Sequence, residues 1–243
     1  YSRLTAYSLT DLSLSLSMRL YLKRTGLFGG TFDPVHFGHL RSAYEVQARF
    51  SLDKVCFIPA AVPPHKEPSS VADAKDRLEM IRTAVSDYPQ FCVSDVELER
   101  SGPSYTIDTV KHFMATRIEP TLFYLIVGLD AFLEINTWKS FKELFRLVPF
   151  IVMTRPGLSC RDSGDKLPAL YDFLNAEISG GYSFSSQDSC YIHETNQPVY
   201  VFEVSRMDIS STKIRELTGK GESVCFLTPA KVELFIKSRE LYR

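Results

Sequence analysis

The chain lacks the features that would assign it to several large protein classes. It has no excess charge of one sign: 28 Lys and Arg stand against 29 Asp and Glu in 243 residues. So balanced a chain has no global basic field for a nucleic acid and no acidic tail, and any phosphate must be met by a local site. It also lacks a long hydrophobic run. The most apolar stretch, 122–129, is far shorter than the roughly 20 residues that span a bilayer. Neither a nucleic acid nor a membrane is therefore expected as a partner. Cysteine is present but unorganised. Cys56, Cys92, Cys160, Cys190 and Cys225 are odd in number and scattered, with no C-x-x-C among them. That pattern argues against a zinc knuckle or a disulfide framework and fits a reducing cytoplasm. No metal held by the protein itself is expected. Tryptophan is nearly absent, with Trp138 the single example.

What remains is ordinary for a globular protein: 44% hydrophobic and 23% charged residues, in a length that suits one well-buried α/β domain. The first 24 residues stand apart. Their Leu-Ser alternation at 12–17 is interrupted by polar residues, and Arg19, Lys23 and Arg24 lie on its C-terminal side, opposite to a secretory signal. This segment is expected to be a disordered extension, with Met18 as a candidate start. Residues 25–243 are expected to form a single domain.

Along that domain, apolar periodicity predicts strands at 25–29, 54–59, 91–98, 121–127, 150–154 and 199–204. Helices are expected at 39–50, 76–85, 106–116, 132–147 (broken around Asn136 and Trp138), 211–217 and 229–241. The Pro-rich stretch 59–68 must be loop. Segment 158–198 has mixed polarity and no readable period. Strands alternating with helices predict a doubly wound parallel sheet with helices on both faces. In such a sheet ligands sit beyond the carboxyl ends of the strands, so functional motifs should follow strands.

The strongest motif does so. Gly29-Gly30-Thr31-Phe32-Asp33-Pro34-Val35-His36-Phe37-Gly38-His39 follows the first strand and opens the first helix. Glycines let the backbone approach a ligand, and the helix start offers free N–H groups and a positive dipole end to an anion. His36 and His39 flank Gly38, so both rings can reach one pocket. A second anion site is read at Ser210-Ser211-Thr212, which precedes a short helix carrying Arg215 about one turn later. Lys66 is a point charge on a proline-stiffened loop, fit to meet a phosphate. Ser104 precedes a helix with Asp108 in its first turn, close to a capping box. Asp130 follows the most apolar strand, where a carboxylate is costly unless partnered. Trp138 suits stacking on a ring or packing in the core. Arg155 follows a strand and precedes Pro-Gly, which puts it at the sheet's ligand edge.

These motifs resemble, in order, those of the bacterial nicotinate mononucleotide adenylyltransferases, a family of the H-x-G-H nucleotidylyltransferase superfamily with a Rossmann-like fold. The similarity runs through GGTFDPVHFGHL, Pro63-Pro64-His65-Lys66, Ser104-Tyr105-Thr106-Ile107-Asp108-Thr109, Gly128-Leu129-Asp130 with Trp138, Arg155-Pro156-Gly157, and Ile209 to Arg215. Leu129 departs from the alanine the family often has there. The resemblance implies adenylyl transfer from ATP to nicotinate mononucleotide, giving deamido-NAD and pyrophosphate, with Mg²⁺ accompanying ATP. It implies that Gly29, Gly30, Thr31, Phe32, His36, His39, Ser211, Thr212 and Arg215 bind ATP, with His36, His39, Lys66 and Arg215 catalytic. Thr106, Asp130, Trp138 and Arg155 would bind the acceptor. A homo-oligomer is left open.

Other adenylyltransferases of the superfamily, such as one acting on phosphopantetheine, do not fit the P-P-H-K, S-Y-T-I-D-T and R-P-G motifs. A class I aminoacyl-tRNA synthetase shares the H-x-G-H signature, but this chain is short and has no basic face. A non-catalytic nucleotide sensor would be expected to have lost a phosphate-handling residue, and His36, His39 and Arg215 are all present.

Overall fold

The computed structural model describes residues 22–62, 71–154 and 166–243. The expectations for the 1–24 extension (up to residue 21), for Lys66 and the P-P-H-K loop, for Arg155 and for Cys160 lie outside these residues.

In chain order the elements are β1 (Lys23–Gly30), α1 (Phe37–Arg49), β2 (Lys54–Pro59), α2 (Ala74–Val85), β3 (Phe91–Val93), α3 (Val96–Glu99) and α4 (Thr106–Thr116). They continue with β4 (Thr121–Gly128), α5 (Leu129–Leu133), a 3₁₀ turn (Ile135–Thr137), α6 (Phe141–Leu147), β5 (Phe150–Thr154) and α7 (Lys166–Phe173). A π-turn (Leu174–Ile178), β6 (Ser183–Ser185), β7 (Cys190–Ile192), β8 (Val199–Glu203), α8 (Ser211–Gly219) and α9 (Ala230–Ser238) complete the chain. Strand–helix alternation with a mostly parallel sheet gives the expected α/β, Rossmann-like class. Among the described residues no helix is long and apolar enough to cross a membrane.

The chain divides into two compact units. The first comprises Gly26–Tyr105 and Val204–Arg243; the second comprises Thr106–Glu203 with β1 as far as Thr25. In the first unit the strand order is β3-β2-β1, with β2 and β3 parallel. The ends of β1 and β2 are joined where the Ala60 N–H donates to Gly30 O at 2.9 Å. Leu27, Phe28, Val55, Phe57 and Ile58 form the strands' buried side chains. α1 buries Leu40, Ala43 and Val46, positions spaced to share one helical face. α2 starts at Ala74 because the Asp73 side chain accepts the Lys75 N–H at 2.8 Å, an N-cap.

In the second unit the order is β4-β5-β8-β7-β6. β4, β5 and β8 are parallel, in register Leu125↔Phe150 and Phe150↔Val199. β4 buries Phe123 to Val127 without interruption, as a strand covered on both faces should.

Three expectations need correction. The strand predicted at 91–98 stops at Val93: Ser94 Oγ accepts the Val96 N–H, and Asp95 O accepts from Leu98 and Glu99, turning the chain into α3. The helix predicted at 132–147 breaks where expected, because Trp138 is extended and Ser140 sits at φ 52°, left-handed and non-helical. The sheet is not wholly parallel. Within the unreadable 158–198 segment, β6 and β7 form an antiparallel hairpin that pairs with β8 through Cys190↔Tyr200. Strands of three residues are too short to show a period. Ser104 does not act as a plain N-cap: its hydroxyl accepts the Ala61 N–H at 2.9 Å, tying the approach to α4 to the loop after β2.

Candidate active site

The loop from Gly29 to His36 leaves the carboxyl end of β1 and enters α1, and its carbonyl oxygens are engaged within the first unit. Thr31 O accepts from Arg77 Nη1 at 2.8 Å, and Asp33 O from Arg215 Nη1 at 2.8 Å. Pro34 O accepts from Ser211 Oγ at 2.9 Å, and Val35 O from Thr228 Oγ1 at 2.8 Å. A carbonyl oxygen carries partial negative charge and would repel a phosphate. Satisfying these four inside the protein removes that repulsion and fixes the loop's path. Gly29 is exposed, Gly30 and Thr31 are half-buried, and Phe32 is packed inside against Phe28 and Phe57.

His36 is the residue before α1, with extended backbone, and His39 lies in the first turn. Their rings stack with centroids 3.7 Å apart. The His36 N–H donates to His39 Nδ1 at 3.3 Å. A nitrogen that accepts cannot carry the proton, so neutral His39 has its proton on Nε2, as a donor to an anion. Phe32 packs edge-on against His39 with centroids 5.0 Å apart, limiting its rotation. Gly38 leaves room for the stacked pair: a Cβ there would lie 3.0 Å from two His36 ring atoms, a tight contact.

α8 supplies the second anchor. Ser210 caps it by accepting the Lys213 N–H at 3.2 Å. Ser211 spends its hydroxyl on Pro34 O, so its part is to fasten α8 to the loop. Arg215 is held at two points, Asp33 O and Thr212 Oγ1, the latter at 3.4 Å. With five N–H groups it retains donors for an anion, and it is 25% exposed. His36, His39, Ser211, Thr212 and Arg215 are thus gathered around one loop.

Three residues of this framework were not singled out from sequence. Arg77 is 1% exposed and bonds through its three nitrogens to Thr31, Ala72 and Ala61 carbonyls. Burial pulls its pKa down, and Asp33, Tyr242 and Asp73 pull it back up. Asp33 is 1% exposed and accepts from the Tyr242 hydroxyl at 2.7 Å. A signal for Arg77 existed: it shares a helical face with Ile81 and Val85, which a solvated arginine would not. For Tyr242 there was none.

Thr106, Asp130 and Trp138 belong to the second unit. Thr106 opens α4 and is half-buried. Asp108, in the first turn, pairs with Lys139 Nζ at 3.1 Å, which links the start of α4 to the segment carrying half-buried Trp138. Asp130 is exposed in the first turn of α5, so the expectation of a costly, partner-seeking carboxylate is corrected: water and the helix N-terminus stabilise it.

Comparison with known proteins gives concordant results. The cytidylyltransferase-like family model matches residues 27–217. A "Probable nicotinate-nucleotide adenylyltransferase" of Desulfatibacillum aliphaticivorans is 42% identical over 224 residues, covering 90% of this chain and 99% of that protein. One from Geotalea daltonii is 38% identical over 219 residues, covering 90% and 98%. Among solved structures, the Plasmodium falciparum nicotinic acid mononucleotide adenylyltransferase complexed with NaAD matches with a TM-score of 0.65. That match covers 90% of this chain and 97% of that one; at 16% identity it is a likeness of fold.

Proposed function

The chain belongs to the nicotinate-nucleotide adenylyltransferases of the cytidylyltransferase-like family, and from that premise we propose how its residues carry the reaction. The enzyme transfers the adenylyl group of ATP to nicotinate mononucleotide. The acceptor's 5′-phosphate oxygen forms a bond to the α-phosphorus of ATP, and the bond from that phosphorus to the bridging oxygen of the β-phosphate breaks. Deamido-NAD and pyrophosphate result. The attacking phosphate is already ionised at neutral pH, so no protein nucleophile or base is required. Catalysis then reduces to holding the two phosphates in line and stabilising charge as it builds.

The observation that carries the assignment of roles is the loop after β1. Its carbonyls are engaged inside the protein, while the paired imidazoles of His36 and His39 and the guanidinium of Arg215 stand around it. His39, with its proton on Nε2, meets the transferring phosphate, and His36 supports the ring and the phosphates beside it. Arg215 and Thr212, with the peptide N–H groups at the start of α8, hold the departing β- and γ-phosphates. Ser211 serves by position rather than by its hydroxyl. Gly29, Gly30, Thr31 and Phe32 give ATP its close approach, and Lys66 bridges phosphates from the loop after β2. For the acceptor we assign Thr106, Trp138, Asp130 and Arg155.

Mg²⁺ would enter with the triphosphate, held mainly by phosphate oxygens and water, in keeping with its reluctance to shed its water, and would screen the charge of the phosphates. A reducing cytoplasm as the site of action rests on the scattered, odd-numbered cysteines of the sequence.

The test is direct. The purified chain with ATP, Mg²⁺ and nicotinate mononucleotide should release pyrophosphate and form deamido-NAD in equal amounts. Phosphopantetheine in place of the acceptor should give neither. Pyrophosphate release with phosphopantetheine alone would overturn the assignment.

A further inference from the structure

On the adenylyl-transfer reading, Tyr242 stands behind the loop that meets the nucleotide. Asp33 lies in the loop that meets ATP, and its carboxylate is 1% exposed. Oδ1 accepts from the Tyr242 hydroxyl at 2.7 Å and from the Ala72 N–H at 3.3 Å. Oδ2 has no hydrogen bond among the described residues and lies 3.8 Å from Arg215 Nη1. That same Arg215 nitrogen bonds instead to the Asp33 carbonyl, at 2.8 Å. So the guanidinium passes beside a buried carboxylate without closing on it. Tyr242 itself stands at φ 67°, a left-handed conformation rarely taken by tyrosine, so the surroundings hold it there. Gly219, the last residue of α8, makes room for it: a Cβ there would lie 3.1 Å from the Tyr242 carbonyl oxygen.

We propose that Tyr242 is a positioning residue for the ATP phosphates, acting through Asp33 on Arg215. A buried carboxylate next to a phosphate site must be satisfied by something. If Arg215 satisfied it, the pair would be bidentate and the guanidinium would turn away from the nucleotide. The Tyr242 hydroxyl satisfies it with a neutral donor, leaving Arg215 on the backbone carbonyl with N–H groups to spare. Arg77 does not take that place: its three nitrogens are directed to the Ala72, Thr31 and Ala61 carbonyls, and none bonds to the Asp33 carboxylate. Burial, and then the negative charge of Asp33, raise the pKa of the Tyr242 hydroxyl, so it stays a donor across the working pH range. Without that hydroxyl, Asp33 Oδ1 keeps only the longer Ala72 bond. A movement of about one ångström then brings Arg215 into contact with the carboxylate and away from the phosphates.

Tyr242→Phe removes a single oxygen and is the test variant. The expected result is a KM for ATP raised about tenfold, with the KM for nicotinate mononucleotide unchanged, since a hydrogen bond to a charged group is lost on the ATP side alone. Adding Asp33→Asn removes the charge that captures Arg215 and is expected to recover most of the ATP KM. A plain structural loss would move both KM values and would not be rescued. An ATP KM within about twofold of wild type, a parallel loss for both substrates, a variant that does not fold, or no recovery with Asp33→Asn each overturn the proposal. If the wild-type chain forms no deamido-NAD, it is the adenylyl-transfer reading that fails, not this one.

Discussion

At the scale of single residues, the site depends on how closely two imidazoles are held. His39 presents Nε2–H because its other nitrogen accepts the His36 N–H. Replacing it by alanine removes a donor that matters most when charge builds on the transferring phosphate. His39→Ala is expected to lower kcat about a hundredfold, from roughly 3 kcal/mol of lost transition-state stabilisation, with the acceptor KM little changed. Steady-state kinetics with both substrates check this, and a kcat near wild type would remove His39 from the mechanism. Gly38 acts without touching the nucleotide. In Gly38→Ala the new methyl would stand 3.0 Å from the His36 ring, which is 6% exposed and stacked on His39, so the His36 ring must give by a few tenths of an ångström. With about 1 Å costing about 100-fold, a shift of that size is expected to lower the rate by about threefold to tenfold. The expected signature is a fall in kcat with the melting temperature nearly kept; unchanged kcat would show that the pair tolerates movement.

At the scale of elements, the register of β2 on β3 sets Cys56 directly beside Cys92. The Cys92 thiol donates to Val55 O at 3.7 Å. The interaction between the two thiols is the main cause that raises Cys56 well above the usual thiol value and lowers Cys92, which Lys54 lowers further against the opposing effect of burial. On β7, burial and then Asp188 push Cys190 up to about 11. The thiolate is the reactive form, so at pH 8 about one Cys190 in a thousand is reactive, rising only as pH approaches 11. Iodoacetamide at pH 8 is therefore expected to label Cys92, and Cys225 which is exposed, well before Cys56 and Cys190. Peptide mass spectrometry over a time course reads the order, and equal rates at Cys56 and Cys92 would contradict the register's effect.

At the scale of the whole molecule, the question is which acceptor the enzyme prefers. The acid and the amide of the pyridine mononucleotide differ only in a carboxylate against a carboxamide. A carboxylate accepts and cannot donate, whereas an amide does both. Thr106 opens an α4 of 11 residues, and free N–H groups at a helix start favour the carboxylate by hydrogen bonding and by the dipole. Asp130, which would repel it, is exposed and solvated. The amide would turn its NH₂ toward donors and leave some unpaired, at a cost of roughly 1–3 kcal/mol. The expected kcat/KM ratio is thus about tenfold to a hundredfold in favour of nicotinate mononucleotide, measured at saturating ATP and Mg²⁺. Equal values would dismiss this account of the acceptor side while leaving adenylyl transfer intact.

What the sequence determined by itself is whatever its neighbours along the chain decide. The Gly-Gly turn, the first helix (read from His39 and opening two residues earlier), the separate helix capped at Ser210, and the buried run of β4 all rest on local backbone needs and short periods, and all were legible. So was the gathering of His36, His39 and Arg215, through the order of motifs. The three-residue strands of the hairpin were not, because so few residues show no alternation. Nor was the framework behind the loop. Asp33 meets Tyr242 across 209 positions and Arg215 across 182, and Arg77 reaches Thr31 across 46. No local rule couples such positions. Only packing decides them, because a carboxylate and a guanidinium removed from water must find partners wherever the fold brings them.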